Sequence, residues 1–142
     1  MTILLITHLL LIATVTGMSF ANFMNVRFAH GQSGDGAMAL QGLRRLMGMF
    51  GDMIIAGIWV TGLSLVWMRM AAGEGDFNAA FHIKMAFVVL LTACHFMARR
   101  TGGQIARSGD HAGLLGKLEF WLAGMWLAAA IAIILAVLAF GG

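Results

Sequence analysis

The stretch Ile3–Phe23, ILLITHLLLIATVTGMSFANF, decides the fold. It contains no Asp, Glu, Lys or Arg, and the uncharged segment extends from Met1 to Val26. About 20 consecutive apolar residues cross a bilayer as one helix, because only a helix satisfies its own backbone polar groups in lipid. The stretch does not read as a cleaved leader: no basic residue precedes it, and the first, Arg27, follows it. Three similar runs come after it. One lies between Arg45 and Arg69, interrupted by Asp52; one runs from Phe77 to Ala98, interrupted by His82, Lys84 and His95; one runs from Phe120 to Phe140, directly after Glu119. The expectation is an all-α integral membrane four-helix bundle forming one transmembrane domain over 1–142, with helices over about 3–24, 46–68, 79–98 and 119–140.

Composition agrees. Hydrophobic residues make up 61% of the chain and charged residues 11%, against roughly 25% charged in a soluble domain. Mean hydropathy is +0.90. Too little polar surface exists to cover a water-soluble globule, so the expected surroundings are a lipid bilayer. The net charge of +3 would suggest nucleic acid in a soluble protein. Here the basic residues lie between the apolar runs and read as topology signals, so no nucleic-acid partner is expected. The single cysteine, Cys94, excludes an internal disulfide framework.

Connections follow from the gaps. Glycine-rich segments, His30–Gly42 and Thr101–Gly116, join helices one to two and three to four, and the short Met70–Asp76 link predicts a tight antiparallel hairpin of helices two and three. His30 and His111 fall in the glycine-rich segments and read as solvated. Ala13, Gly17 and Ala21, and again Gly124 and Ala128, form small-residue stripes that let helices approach closely, either inside the bundle, in a homo-oligomer or in a larger membrane complex. Trp67 and Trp121 read as interfacial anchors. A weak internal similarity pairs His8…Phe23-Met-Asn-Val-Arg27 with His82…Phe96-Met-Ala-Arg-Arg100.

Ionisable groups inside a membrane cost about 2.5–3.5 kcal/mol each at mid-depth on insertion scales, so they mark function. Depth separates an outer group, His8, His82 and Lys84, from an inner one, Asp52 and His95. At about 100° per residue, Lys84 and His95 share a face, His82 points to the other side, and His8 shares its face with Ser19 and Asn22. Two nitrogen donors at matched depth suit an embedded haem b, with His8 as one axial ligand and His82 or Lys84 as the other. Asp52 and His95 suit an ion pair, a proton relay or a plain interhelical hydrogen bond. Twelve methionines, with Met49 and Met53 at i, i+4, keep a copper-handling reading open.

The third run, Phe81-His-Ile-Lys84 through Cys94-His95, resembles the corresponding helix of HemJ-type protoporphyrinogen IX oxidases, small four-helix membrane proteins with a His-x-Lys followed by a distal His. His8 resembles that family's outer histidine, and Arg44-Arg45 through Gly62-Leu63 to Trp67 is similar to its approach to helix two. The family's proline-containing segments have no counterpart here, Glu119 alone remaining of the one before helix four. The resemblance implies haem b, oxidation of protoporphyrinogen IX, and His8 and Lys84 as the catalytic pair. The alternative is a non-catalytic subunit or assembly factor of a larger bioenergetic membrane complex.

Arg27, Arg44, Arg45, Arg99, Arg100, Arg107 and Lys117 lie in or beside the first and third connections, and only Arg69 flanks the second. The basic side stays cytoplasmic, so the expectation is a bacterial-type inner membrane protein with both termini periplasmic. Reporter fusions at Gly103 and at the C-terminus check this: Gly103 should report cytoplasmic and the C-terminus periplasmic, and a cytoplasmic C-terminus refutes the orientation.

Overall fold

The structure is a computed structural model that describes residues 2–75, 77, 79–108 and 111–140, with side chains for all of these except 80, 108, 111, 112 and 136–140. Those residues form four helices: α1 (Thr2–Ala29), α2 (Asp35–Ala71), α3 (Ala79–Ser108) and α4 (His111–Phe140). Each contains a segment long and apolar enough to cross a membrane. The chain is an all-α, multi-pass membrane bundle, as the apolar runs predict.

The helices outrun the apolar runs at the basic end. Asp35–Ala71 is 37 residues long, about 55 Å at 1.5 Å per residue, against a hydrocarbon core of about 30 Å. The glycine-rich segments expected as loops are therefore largely helical, with Gly36 and Gly42 in α2 and Gly102 and Gly103 in α3. A glycine costs a helix only about 1 kcal/mol relative to alanine, and the chain has no proline to stop one. His111 opens α4 rather than sitting in a loop, and its side chain lies outside the described residues.

The chain breaks where backbone geometry demands glycine. Gly34, at φ 60°, precedes α2, and Gly73, at φ 78°, follows it. At Gly73 the Glu74 N–H donates to the Arg69 carbonyl at 3.1 Å, the 6→1 bond of a Schellman motif. An Arg69–Glu74 ion pair at 3.5 Å spans the same turn.

Packing departs from expectation in one important respect. α1 packs on both α2 and α4, and α4 packs on α3, but α2 and α3 hardly approach each other at the backbone. The predicted tight hairpin is absent. Long side chains occupy the seam instead: Asp52 reaches His95 and Arg99, and Trp59 Nε1 donates to Thr92 Oγ1 at 3.1 Å. The core lies mainly on the α4 side. Val15, Ile55, Leu91, Met125, Ala128 and Ala129 fill its middle, and Val26, Ala98, Ile105, Leu118 and Leu122 continue it toward the basic end.

The small-residue stripes divide. Ala128 is buried and Gly124 abuts the Cys94 sulfur, so the α4 stripe serves packing within the bundle. Ala13, Gly17 and Ala21 of the α1 stripe are exposed. Trp67 is exposed at the end of its run as an anchor should be, whereas Trp121 packs against both parts of the core. The weak internal similarity has no spatial counterpart, since His8 is buried and His82 exposed.

Ala129 is fully buried, and its small size lets α4 sit close to its neighbours. Ala129→Leu should destabilise the bundle by about 1–3 kcal/mol, the usual cost of overpacking, whereas the exposed Leu127→Ala should change little; thermal unfolding in detergent measures both.

Candidate functional site

The α2–α3 seam holds two cavities, one near each end of the bundle. The outer one, about 470 Å³, is lined by His8 of α1, Trp59, Gly62 and Arg69 of α2, and Phe81 and Lys84 of α3. The inner one, about 860 Å³, is lined by Asn22 of α1, Arg44, Arg45 and Gly51 of α2, and His95 and Arg99 of α3. Both volumes fall in the range of about 300–1,000 Å³ typical of small-molecule sites.

His8 is 5% exposed and held in one orientation. Its Nδ1 lies 2.8 Å from Thr61 Oγ1. The Thr61 hydroxyl donates its single proton to the Gly57 carbonyl at 2.7 Å, so toward His8 it can only accept. With Thr61 donating to its own helix in this way, Nδ1 carries the imidazole proton and Nε2 the lone pair. The ring also rests on α2 backbone: a Cβ at Gly62 would come within 3.1 Å of His8 Cε1. Thr61 and Gly62 thus set the tautomer and the seat of the imidazole together.

Lys84 and His82 separate as their helical phase predicts. Lys84 faces the outer cavity, and no acidic side chain lines that cavity among the described residues. His82 is exposed and edge-on to Phe81, with ring centroids 5.7 Å apart, so it is not the second donor opposite His8. The structure brings together His8 and Lys84 and leaves His82 outside.

The inner group is a triad. His95 Nε2 lies 2.6 Å from Asp52 Oδ1, and Arg99 Nη2 lies 3.1 Å from Asp52 Oδ2. His95 is buried, whereas the Asp52 side chain is half-exposed. Its seat repeats the His8 arrangement. A Cβ at Gly51 would approach His95 Cε1 to 2.8 Å, and one at Gly48 would approach Arg99 Nη1 to 2.6 Å. Distances under 3.0 Å require a shift of the neighbour, so these two α2 positions exclude a side chain while His95 and Arg99 hold their places. A third polar site closes the same end, where Glu119 pairs with Arg27 at 3.3 Å and His30 at 3.4 Å. His30 is exposed, as the sequence predicts, with its Nε2 beside the Glu119 carboxylate.

Sequence reasoning missed Thr61, Arg99 and the three glycines. One signal for them exists. Gly51 and Gly62 are eleven residues apart, as are Lys84 and His95, and His8 and Ser19. At about 100° per residue that interval returns to the same face. Arg44, Arg45, Arg99 and Arg100 read as topology signals, yet all four line the inner cavity. Met49 and Met53, the pair behind the copper reading, are both exposed. No group of three or more His, Cys, Asp and Glu side chains is placed to hold a metal ion among the described residues.

Comparison of the chain with protein-family models, with curated proteins and with solved structures returned no match.

The Asp52–His95 contact is open to a double-mutant cycle. Asp52→Asn, His95→Gln and the double variant should give a coupling of about 1–2 kcal/mol, within the range for residues of one network. Gly51→Ala should weaken that coupling by displacing the imidazole. Additive single effects would show that the pair stores no interaction energy.

Proposed function

We propose that this chain binds haem b in the outer cavity, where His8 would hold its iron, and that it serves redox chemistry on a tetrapyrrole of the kind HemJ-type protoporphyrinogen IX oxidases carry out. The observation that carries the reading is the state of His8. Its Nδ1–H is engaged by Thr61, which leaves Nε2 as the donor atom beside a largely apolar cavity shared with Lys84. Haem-ligating histidines use this form, in which the second ring nitrogen donates to a neighbour that fixes orientation.

The remaining side chains fit the same ligand. Phe77, Phe81, Trp59 and Met85 give the cavity walls suited to an apolar macrocycle. Lys84 brings positive charge to it, Arg69 being paired with Glu74, and that charge matches the acidic substituents of a tetrapyrrole. Lys84 is the group we assign to hold such a substituent or, as its neutral amine, to act as the second donor. When bound, haem would supply one-electron chemistry. Oxidation of a porphyrinogen releases electrons as well as protons, so the reading requires an external electron acceptor, and Asp52–His95 at the opposite cavity is a pair of this chain that can hold a proton. The basic end is read as cytoplasmic, which places the haem cavity toward the periplasmic face.

Variants of the purified protein check the ligand. His8→Ala should lower bound haem sharply. Thr61→Val, which keeps the shape and removes the acceptor, should weaken haem affinity about 10- to 100-fold. His82→Ala should leave haem content unchanged. Full haem occupancy in His8→Ala would reject His8 as the ligand.

A further inference from the structure

The inner cavity collects positive charge that the haem reading does not use. Arg44, Arg45, Arg99 and Arg100 line it. Asp52 neutralises Arg99 at 3.1 Å, and Arg44, Arg45 and Arg100 have no acidic partner among the described residues. Arg44 reaches deepest: its Nη1 is buried without a hydrogen-bond acceptor. A buried guanidinium donor left unmatched is costly, and an anion in the cavity removes that cost. Basic residues needed only for orientation have no reason to be buried, and Arg44 alone among the basic residues at this end is partly buried, Arg27, Arg45, Arg99, Arg100, Arg107 and Lys117 all being exposed.

The rest of the lining narrows the anion. Met18, Leu118, Leu122 and Met125 form an apolar wall behind the arginines. A small hydrophilic anion would leave this wall in contact with water, whereas a molecule with an acidic head and an apolar body covers both. Access is lateral. α2 and α3 barely approach at the backbone, and Phe96 at the lip of the cavity is 70% exposed. Guanidinium groups pair with phosphate oxygens through two parallel hydrogen bonds, and basic pockets between transmembrane helices recognise anionic lipid headgroups.

We propose that the inner cavity is a binding site for an anionic phospholipid, its phosphate held by Arg44, Arg45 and Arg100 and its acyl chains leaving between α2 and α3. The site is independent of haem at His8, and lipid retention and haem content are separate readouts. The full chain is reconstituted in phosphatidylcholine bilayers with and without phosphatidylglycerol, then extracted, and retained lipid is weighed by native mass spectrometry. Wild-type protein should retain phosphatidylglycerol in preference to phosphatidylcholine. Arg44→Gln and Arg100→Gln should each reduce that preference about fivefold, and Arg107→Gln, outside the cavity, should not. If Arg44→Gln does not fold, Arg45→Gln combined with Arg100→Gln gives the same reading from the rim. Equal retention of the two lipids, a wild-type preference in the cavity variants, or an equal loss in Arg107→Gln would overturn the proposal. Displacement of phosphatidylglycerol by an equal concentration of inorganic phosphate would also overturn it, by showing that the site takes a soluble phosphate.

Discussion

The architecture depends on one constraint: α2 meets α3 through side chains and not through backbone packing. Among the described residues, polar contacts span the seam from Trp59 to Thr92 and from Asp52 to His95 and Arg99. Membrane helices normally associate by close backbone approach at small residues, and α4 does so at Gly124 and Ala128. The α2–α3 seam is held open by aromatic and ionic side chains, and space remains above and below the Trp59–Thr92 bridge. Asp52 and Thr61, which anchor the inner and outer polar groups, lie about 14 Å apart along α2 at 1.5 Å per residue. The bundle therefore carries two separate cavities within one span.

Glycines on α2 complete this arrangement. Gly62 seats His8, Gly51 seats His95 and Gly48 seats Arg99. Each gives up about 1 kcal/mol of helix propensity relative to alanine and in return lets a long polar side chain lie flat on the helix backbone. At His8 the consequence is chemical as well as steric. The imidazole is pressed on Gly62 beside Thr61, whose own proton is committed to Gly57. With Thr61 donating to Gly57, the ring presents Nε2 as its lone-pair nitrogen. Of the ionisable residues in the spans, His8 is therefore the one whose surroundings most resemble a prepared ligand.

Most of the fold was legible because lipid imposes a simple rule. Four apolar runs separated by basic clusters admit little besides four spans, and the helical phase of Lys84, His95 and His82 correctly divided inward from outward side chains. Helix ends were less legible, because glycine alone does not stop a helix that has no proline and continues past the lipid. A tight α2–α3 hairpin does not follow from the short link: a short connection fixes where two helices begin, not how closely they pack farther along. The site was legible in its ionisable members and illegible in its supports. Thr61, Gly48, Gly51 and Gly62 carry no charge and look like ordinary membrane residues until their neighbours across the bundle are known. The inner arginines read as orientation signals because a basic residue next to a span has that role in most membrane proteins, and the cavity and the burial of its guanidinium distinguish Arg44 from Arg107.

The central claim is that the outer cavity, with a histidine fixed as an Nε2 donor, holds a haem. The absorption spectrum of the intact protein, purified from membranes in mild detergent, tests it most directly. The account predicts a Soret band that shifts on reduction with dithionite, together with sharpened α-bands of b-type haem. A colourless protein that stays colourless when haem is supplied during expression would contradict it.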